Sequence, residues 1–142
     1  MTHRFDSIAL AALACGALFP AAVVADDIPA LRKGLWEYKR TVPGKGDGGK
    51  DAVITTQKCV DPVASMKAMS ELLANKGCTI TPPTMKGNVR TSASECPVQG
   101  TSVRSESVMT FEGDSAYHVE ITTTGRGKSG KETLAAKRVG DC

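Results

Sequence analysis

The chain of 142 residues is 41% hydrophobic but only 4% aromatic, with a formal net charge of +3. That length allows one domain with a modest core, in which covalent cross-links matter because little surface is buried. So mild a charge, with so few rings to stack on bases, argues against nucleic acid as a partner.

Residues 1–25 read as a secretory signal peptide. Arg4 gives a weak positive start, residues 8–24 are apolar with Gly16 and Pro20 inside them, and Val23-Val24-Ala25 puts small residues at the cleavage positions. The apolar run is too short and too interrupted for a membrane span, and it lacks a basic stop-transfer flank. Cys15 is a poor lipidation site, because Ala12 stands where leucine is favoured three residues upstream and the apolar run continues past it. The expectation is cleavage after Ala25, leaving residues 26–142 as a single β-rich domain with no transmembrane segment, in the periplasm and monomeric.

Residues 26–32 form a polar lead-in. Residues 34–42 (GLWEYKRTV) alternate, with Trp36, Tyr38, Arg40 and Val42 on one face, which predicts a half-buried strand. The glycine-rich stretch 43–50 is a turn, and the β-branched stretch 52–60 is the return strand, ending with Cys59. One helix is predicted over residues 62–76. Asp61 suits its N-cap, Pro62 its first turn and Gly77 the position just past its end. Val63, Met66, Met69, Leu72 and Leu73 recur at helical spacing, a stripe expected to pack on the sheet. Strands follow at 78–85 and 89–96 about a turn at 86–88, then at 103–111 and 116–124 about Glu112-Gly113-Asp114-Ser115. A glycine- and lysine-rich loop, 125–131, leads to a last strand at 132–139. The fold class is therefore mainly β with one helix after the second strand. Seven short antiparallel strands predict either a curved sheet or a small lipocalin-like barrel, stapled by disulfides.

Cys59, Cys78, Cys96 and Cys142 behind an export signal imply two disulfides. Cys59 and Cys78 flank a helix roughly 22 Å long, too far apart to pair unless the flanks double back. Cys78 and Cys96 stand symmetrically about the 86–88 turn, which leaves Cys59–Cys142 as the complement. Cys59–Cys96 with Cys78–Cys142 stays open as the rival.

No catalytic, metal or cofactor signature emerges. His118 is the one histidine after the leader, no C-x-x-C pair occurs, and the scattered carboxylates single out no acid–base pair. Gly127-Lys128-Ser129 looks like the end of a phosphate-binding loop, but Thr122 stands where the upstream glycine is required. Gly34-x-Trp36 opening the first strand, with Arg138 late in the last, resembles the lipocalin-like arrangement in which an arginine packs over the tryptophan. That marks Trp36, Tyr38, Met66, Met69 and Arg138 as a candidate pocket for a small apolar ligand.

Several landmarks together resemble a known family: Gly34-Leu35-Trp36-Glu37, Thr56-Gln57-Lys58-Cys59 before a capped helix, Cys78, Gly87-Asn88 with Cys96, Gly113-Asp114, and the terminal Lys137-Arg138-Val139-Gly140-Asp141-Cys142. The chain resembles the bacterial exported family known as domain of unknown function 3617, over about residues 34–142. The resemblance implies a home in the Gram-negative envelope and a four-cysteine frame, and it supplies no activity. One departure stands out, since Cys96-Pro97-Val98-Gln99 is followed by a polar strand with few aromatics. Three functions are then expected in descending order. The first is a non-enzymatic binding or structural protein whose basic loops, 43–51 and 125–131, meet an envelope protein or surface. The second is a carrier of a small apolar ligand, and the third an enzyme whose site is not visible in sequence.

Overall fold

The computed structural model describes residues 28–142, so the expected signal peptide and Cys15 lie outside the described residues. Among the described residues, seven strands and one α-helix follow in order: β1 (Gly34–Val42), β2 (Ala52–Val60), α1 (Pro62–Asn75), β3 (Thr79–Lys86), β4 (Val89–Val98), β5 (Thr101–Glu112), β6 (Ala116–Gly125) and β7 (Lys128–Gly140). The strands form a single antiparallel sheet in the order β2-β1-β7-β6-β5-β4-β3. Of the two expected architectures the open sheet is the one observed. β2 and β3 do not pair, so no barrel closes, and the chain passes from one sheet edge to the other through α1.

Alternation decides which side of the sheet is the inside. Paired residues across an antiparallel ladder share a face, and the registers Trp36↔Arg138, Tyr38↔Ala136↔Tyr117 and Phe111↔Tyr117 place the bulky side chains on one of them. Trp36, Phe111, Tyr117, Val119 and Ala136 are buried there, and Val63 and Met66 of α1 pack against them. The lead-in is less polar in function than in composition. Leu31 is buried in this cluster, Ile28 packs on it, and Arg32 holds the segment in place through its N–H on the Asp114 carbonyl (2.9 Å) and its guanidinium on the Asp114 carboxylate (3.0 Å).

Turn chemistry explains where the meander reverses. Gln99-Gly100 and Arg126-Gly127 each take positive φ at two successive residues, the geometry of the tight hairpin turn whose twist matches the flanking strands. The expected loop over 125–131 is thus replaced by a two-residue turn, with β6 and β7 paired from Gly125↔Lys128 onward. Arg126 stabilises the neighbouring reversal by donating to the Val98 carbonyl (3.3 Å), the Gln99 side-chain oxygen (2.7 Å) and the Thr101 hydroxyl (3.2 Å). The turn after β1 also differs in detail, holding a short 3-10 turn over Asp47–Gly49.

α1 starts and stops where its caps say. The Asp61 carboxylate accepts from the Ala64 N–H (3.1 Å) and meets the Lys33 ammonium (3.2 Å). The backbone donor and then the lysine hold the Asp61 carboxyl below the usual carboxylate range. Gly77, at φ +80, ends the helix, with the Cys78 N–H returning to the Leu73 carbonyl (3.0 Å). Disulfides fasten both flanks. Cys59 at the end of β2 is bonded to Cys142, with Cα atoms 5.7 Å apart, and Cys78 before β3 to Cys96 in β4, 4.2 Å apart. The β3–β4 register explains the second bond, because Thr79↔Glu95 puts Cys78 opposite Cys96.

Gly34 is where the chain is most tightly constrained. A Cβ there would stand 2.5 Å from the Gly140 carbonyl and 2.6 Å from Arg138 Nε, and its φ of +150° is one that other residues rarely adopt. Gly34→Ala is therefore expected to destabilise the fold by roughly 1–3 kcal/mol, read as a lowered urea midpoint with unchanged slope. A neutral result would mean that the β1–β7 end is loosely packed.

Candidate functional site

The inner face is filled at one end only. Where the rings of β1, β5, β6 and β7 meet, Trp36 is fully buried. Its ring centroid lies 5.7 Å from that of Tyr117, and its indole N–H donates to the Arg32 carbonyl (2.9 Å). Tyr38 and Tyr117 share a hydrogen bond, and burial pushes both phenols up, Tyr117 more strongly. Trp36 and its neighbours thus form a packed core among the described residues.

Toward β3, β4 and β5 the side chains shrink, and a cleft of about 510 Å³ remains between α1 and the sheet. Its wall is Met66, Met69 and Leu73, at helical spacing on α1, and Ile80 and Pro83 of β3 close one side. Its floor is a field of hydroxyls. The registers Ser92↔Ser107 and Ser94↔Ser105 set them side by side across β4 and β5, and Thr123 of β6 pairs with Ser105 just beyond the cleft lining. Ser92 Oγ lies 2.7 Å from Ser107 Oγ, and Ser105 Oγ lies 3.4 Å from Thr123 Oγ1. The Ser94 hydroxyl has no partner among the described residues. Ile121 and Cys96 complete the floor, and Arg90 stands at its edge.

Of the five side chains marked in the sequence as a pocket, the structure brings two together in the cleft, Met66 and Met69. Trp36 and Tyr38 belong to the packed end instead. Arg138 does not stack on Trp36. Its guanidinium runs over Gly34, donates to the Lys33 carbonyl (2.8 Å) and pairs with Asp141. The helix stripe is also split: Val63, Met66 and Leu73 face the sheet, whereas Met69 and Leu72 are 55% and 47% exposed. A helix spanning an incomplete barrel touches the sheet along one line, so the outer half of its apolar arc stays uncovered.

The residues that sequence reasoning passed over are the serines. Ser92-x-Ser94 and Ser105-x-Ser107 are doublets at the strand period on two successive predicted strands. That pattern could have marked a shared polar face, but polar alternation reads by default as solvent-facing.

The outer face carries His118, whose Nδ1 is 3.4 Å from a Glu112 oxygen with both side chains about half exposed or more. It borders a smaller hollow of about 300 Å³ with Lys39, Thr41, Glu120 and Thr133. Among the described residues no group of three or more His, Cys, Asp or Glu is placed to hold a metal ion. No helix among them is long and apolar enough to cross a membrane.

No curated protein matches this chain, and no solved structure does. A family model described as Protein of unknown function (DUF3617) matches residues 31–142, from the buried Leu31 through the terminal Cys142. With the four-cysteine frame, the glycine under Arg138 and the capped helix all inside the matched span, the chain belongs to that family.

Proposed function

We propose that this is an exported periplasmic, non-enzymatic binding protein that holds a small amphiphile between α1 and the hydroxyl floor of β4 and β5. The observation that carries the reading is the cleft itself. Its volume falls within the range of small-molecule sites, apolar walls dominate, and a few polar groups converge on one side. The methionines suit such a role, since their flexible thioethers adapt to varied apolar shapes. Two disulfides suit an oxidising compartment, and the apolar stretch 8–24 suits export with cleavage after Ala25.

An environment-sensitive anilinonaphthalene sulfonate probe tests the site directly. Its emission is expected to rise on binding with micromolar affinity and to fall when laurate competes. Met69→Asp places a charge on the wall at a half-exposed position where folding tolerates it. It should weaken the probe about three- to tenfold, since covering the exposed half of such a side chain is worth about half of the 1.5–3 kcal/mol of its full burial. Unchanged probe affinity in Met69→Asp, or no binding by the parent protein, overturns the reading. The tryptophan is the wrong reporter, because Trp36 is sealed in the packed end and does not line the cleft.

A further inference from the structure

The cleft is two-faced in a way that narrows its ligand. The apolar groups stand mainly on one side, on α1 and β3, and four hydroxyls on the other, Ser92 and Ser94 of β4 and Ser105 and Ser107 of β5, with the apolar Ile121 of β6 beside them. On an antiparallel sheet, side chains of one face repeat at about 4.8 Å between strands and about 6.8 Å along them. The floor is thus a rigid grid of hydroxyls, each able to donate and accept. The Ser92–Ser107 pair is close at 2.7 Å, the Ser105–Thr123 contact is long at 3.4 Å, and Ser94 has no partner among the described residues.

A linear acyl chain is apolar all round. Seated here it would satisfy the helix wall but cover Ser94 and the loosely paired Ser105 without replacing their water, and desolvating such groups opposes binding. A rigid molecule with hydroxyls along one face and hydrocarbon on the other meets both sides at once. We propose that the cleft selects facial amphiphiles, namely fused-ring molecules carrying hydroxyls on a single face. The hydroxyl face lies on Ser92, Ser94, Ser105 and Ser107, and the hydrocarbon face lies under Met66, Met69 and Leu73. This rests on the cleft being a ligand site.

Cholate and laurate separate the two ideas, because each carries one carboxylate, whereas cholate has three hydroxyls along one face of a fused-ring body and laurate is a linear chain with none. Calorimetric titration of the oxidised protein, with both ligands kept monomeric, is expected to show cholate binding at least tenfold more tightly than laurate. Deoxycholate, which lacks one hydroxyl, should fall between them. The double substitution Ser92→Ala with Ser107→Ala removes both partners of a pair and leaves neither stranded. It should weaken cholate about three- to tenfold, the value of one hydrogen bond, and leave laurate unchanged or slightly improved. Laurate binding as tightly as cholate, or an equal effect of the double variant on both, overturns facial selection while the site stands. Binding of neither ligand overturns the site and the selection together.

Discussion

Trp36→Ala is expected to lower stability by about 3–5 kcal/mol, the usual cost of deleting a large buried ring. The argument rests on position as much as size. Trp36 is fully buried, its ring contacts that of Tyr117, and its N–H satisfies the Arg32 carbonyl. That hydrogen bond also holds the lead-in, whose Leu31 closes the end of the core. Truncation therefore opens a cavity and frees a segment at once. Domains of this size are stable by only about 5–15 kcal/mol, so the variant should show a greatly reduced urea midpoint, or no folded baseline at room temperature. Trp36→Phe keeps the ring and loses the N–H, and it should recover more than half of the loss. A cost under about 1 kcal/mol for Trp36→Ala would mean that the packed end is not the structural centre of the fold.

Removing the Cys59–Cys142 disulfide by paired alanine substitution is expected to cost about 4–5 kcal/mol, against about 3 kcal/mol for Cys78–Cys96. The difference follows from the loops closed, with sequence separations of 83 and 18 residues. The longer bond constrains the unfolded chain more. It also fastens the last residue to the strand that leads into α1, whereas Cys78–Cys96 links strands that already pair. Denaturation of the two paired-alanine variants beside the oxidised parent gives the order directly. The gap between the variants should close when the remaining disulfide of each is reduced. Equal costs, or a larger cost for Cys78–Cys96, would contradict this account of how the helix flanks are held.

Most of the strand framework was legible because it rests on local rules. Period-two alternation exposed β1 and β6, and Glu112-Gly113-Asp114-Ser115 marked the β5–β6 hairpin. Asp61, Pro62 and Gly77 bounded α1 to within a residue. Closure was not legible. Whether β2 meets β3 depends on accumulated twist and on what α1 leaves between the edges, and no window of sequence carries either. The β6–β7 turn was misread for a different reason. Glycines and lysines over 125–131 imitate a loop, yet Gly125 sits in a strand, paired with Val103 on one side and Lys128 on the other, where a Cβ would stand 2.9 Å from Val103. The site divided along the same line. Helical spacing found Met66 and Met69, but Trp36 and Arg138 drew attention to the end of the sheet that is full. The serine floor was hidden because polar alternation looks the same whether it faces water or a cleft, and only the helix crossing the inner face distinguishes them.

The most direct measurement of the central claim is amide chemical-shift mapping of the isotopically labelled, oxidised protein during titration with cholate. The account predicts saturable shifts concentrated on residues 66–73 of α1 and residues 92–96 and 105–107 of the floor, with Trp36 and the outer-face residues His118 and Glu120 little moved. Shifts that centre on the outer face or on the loops, or none at concentrations up to the onset of micelles, would contradict it.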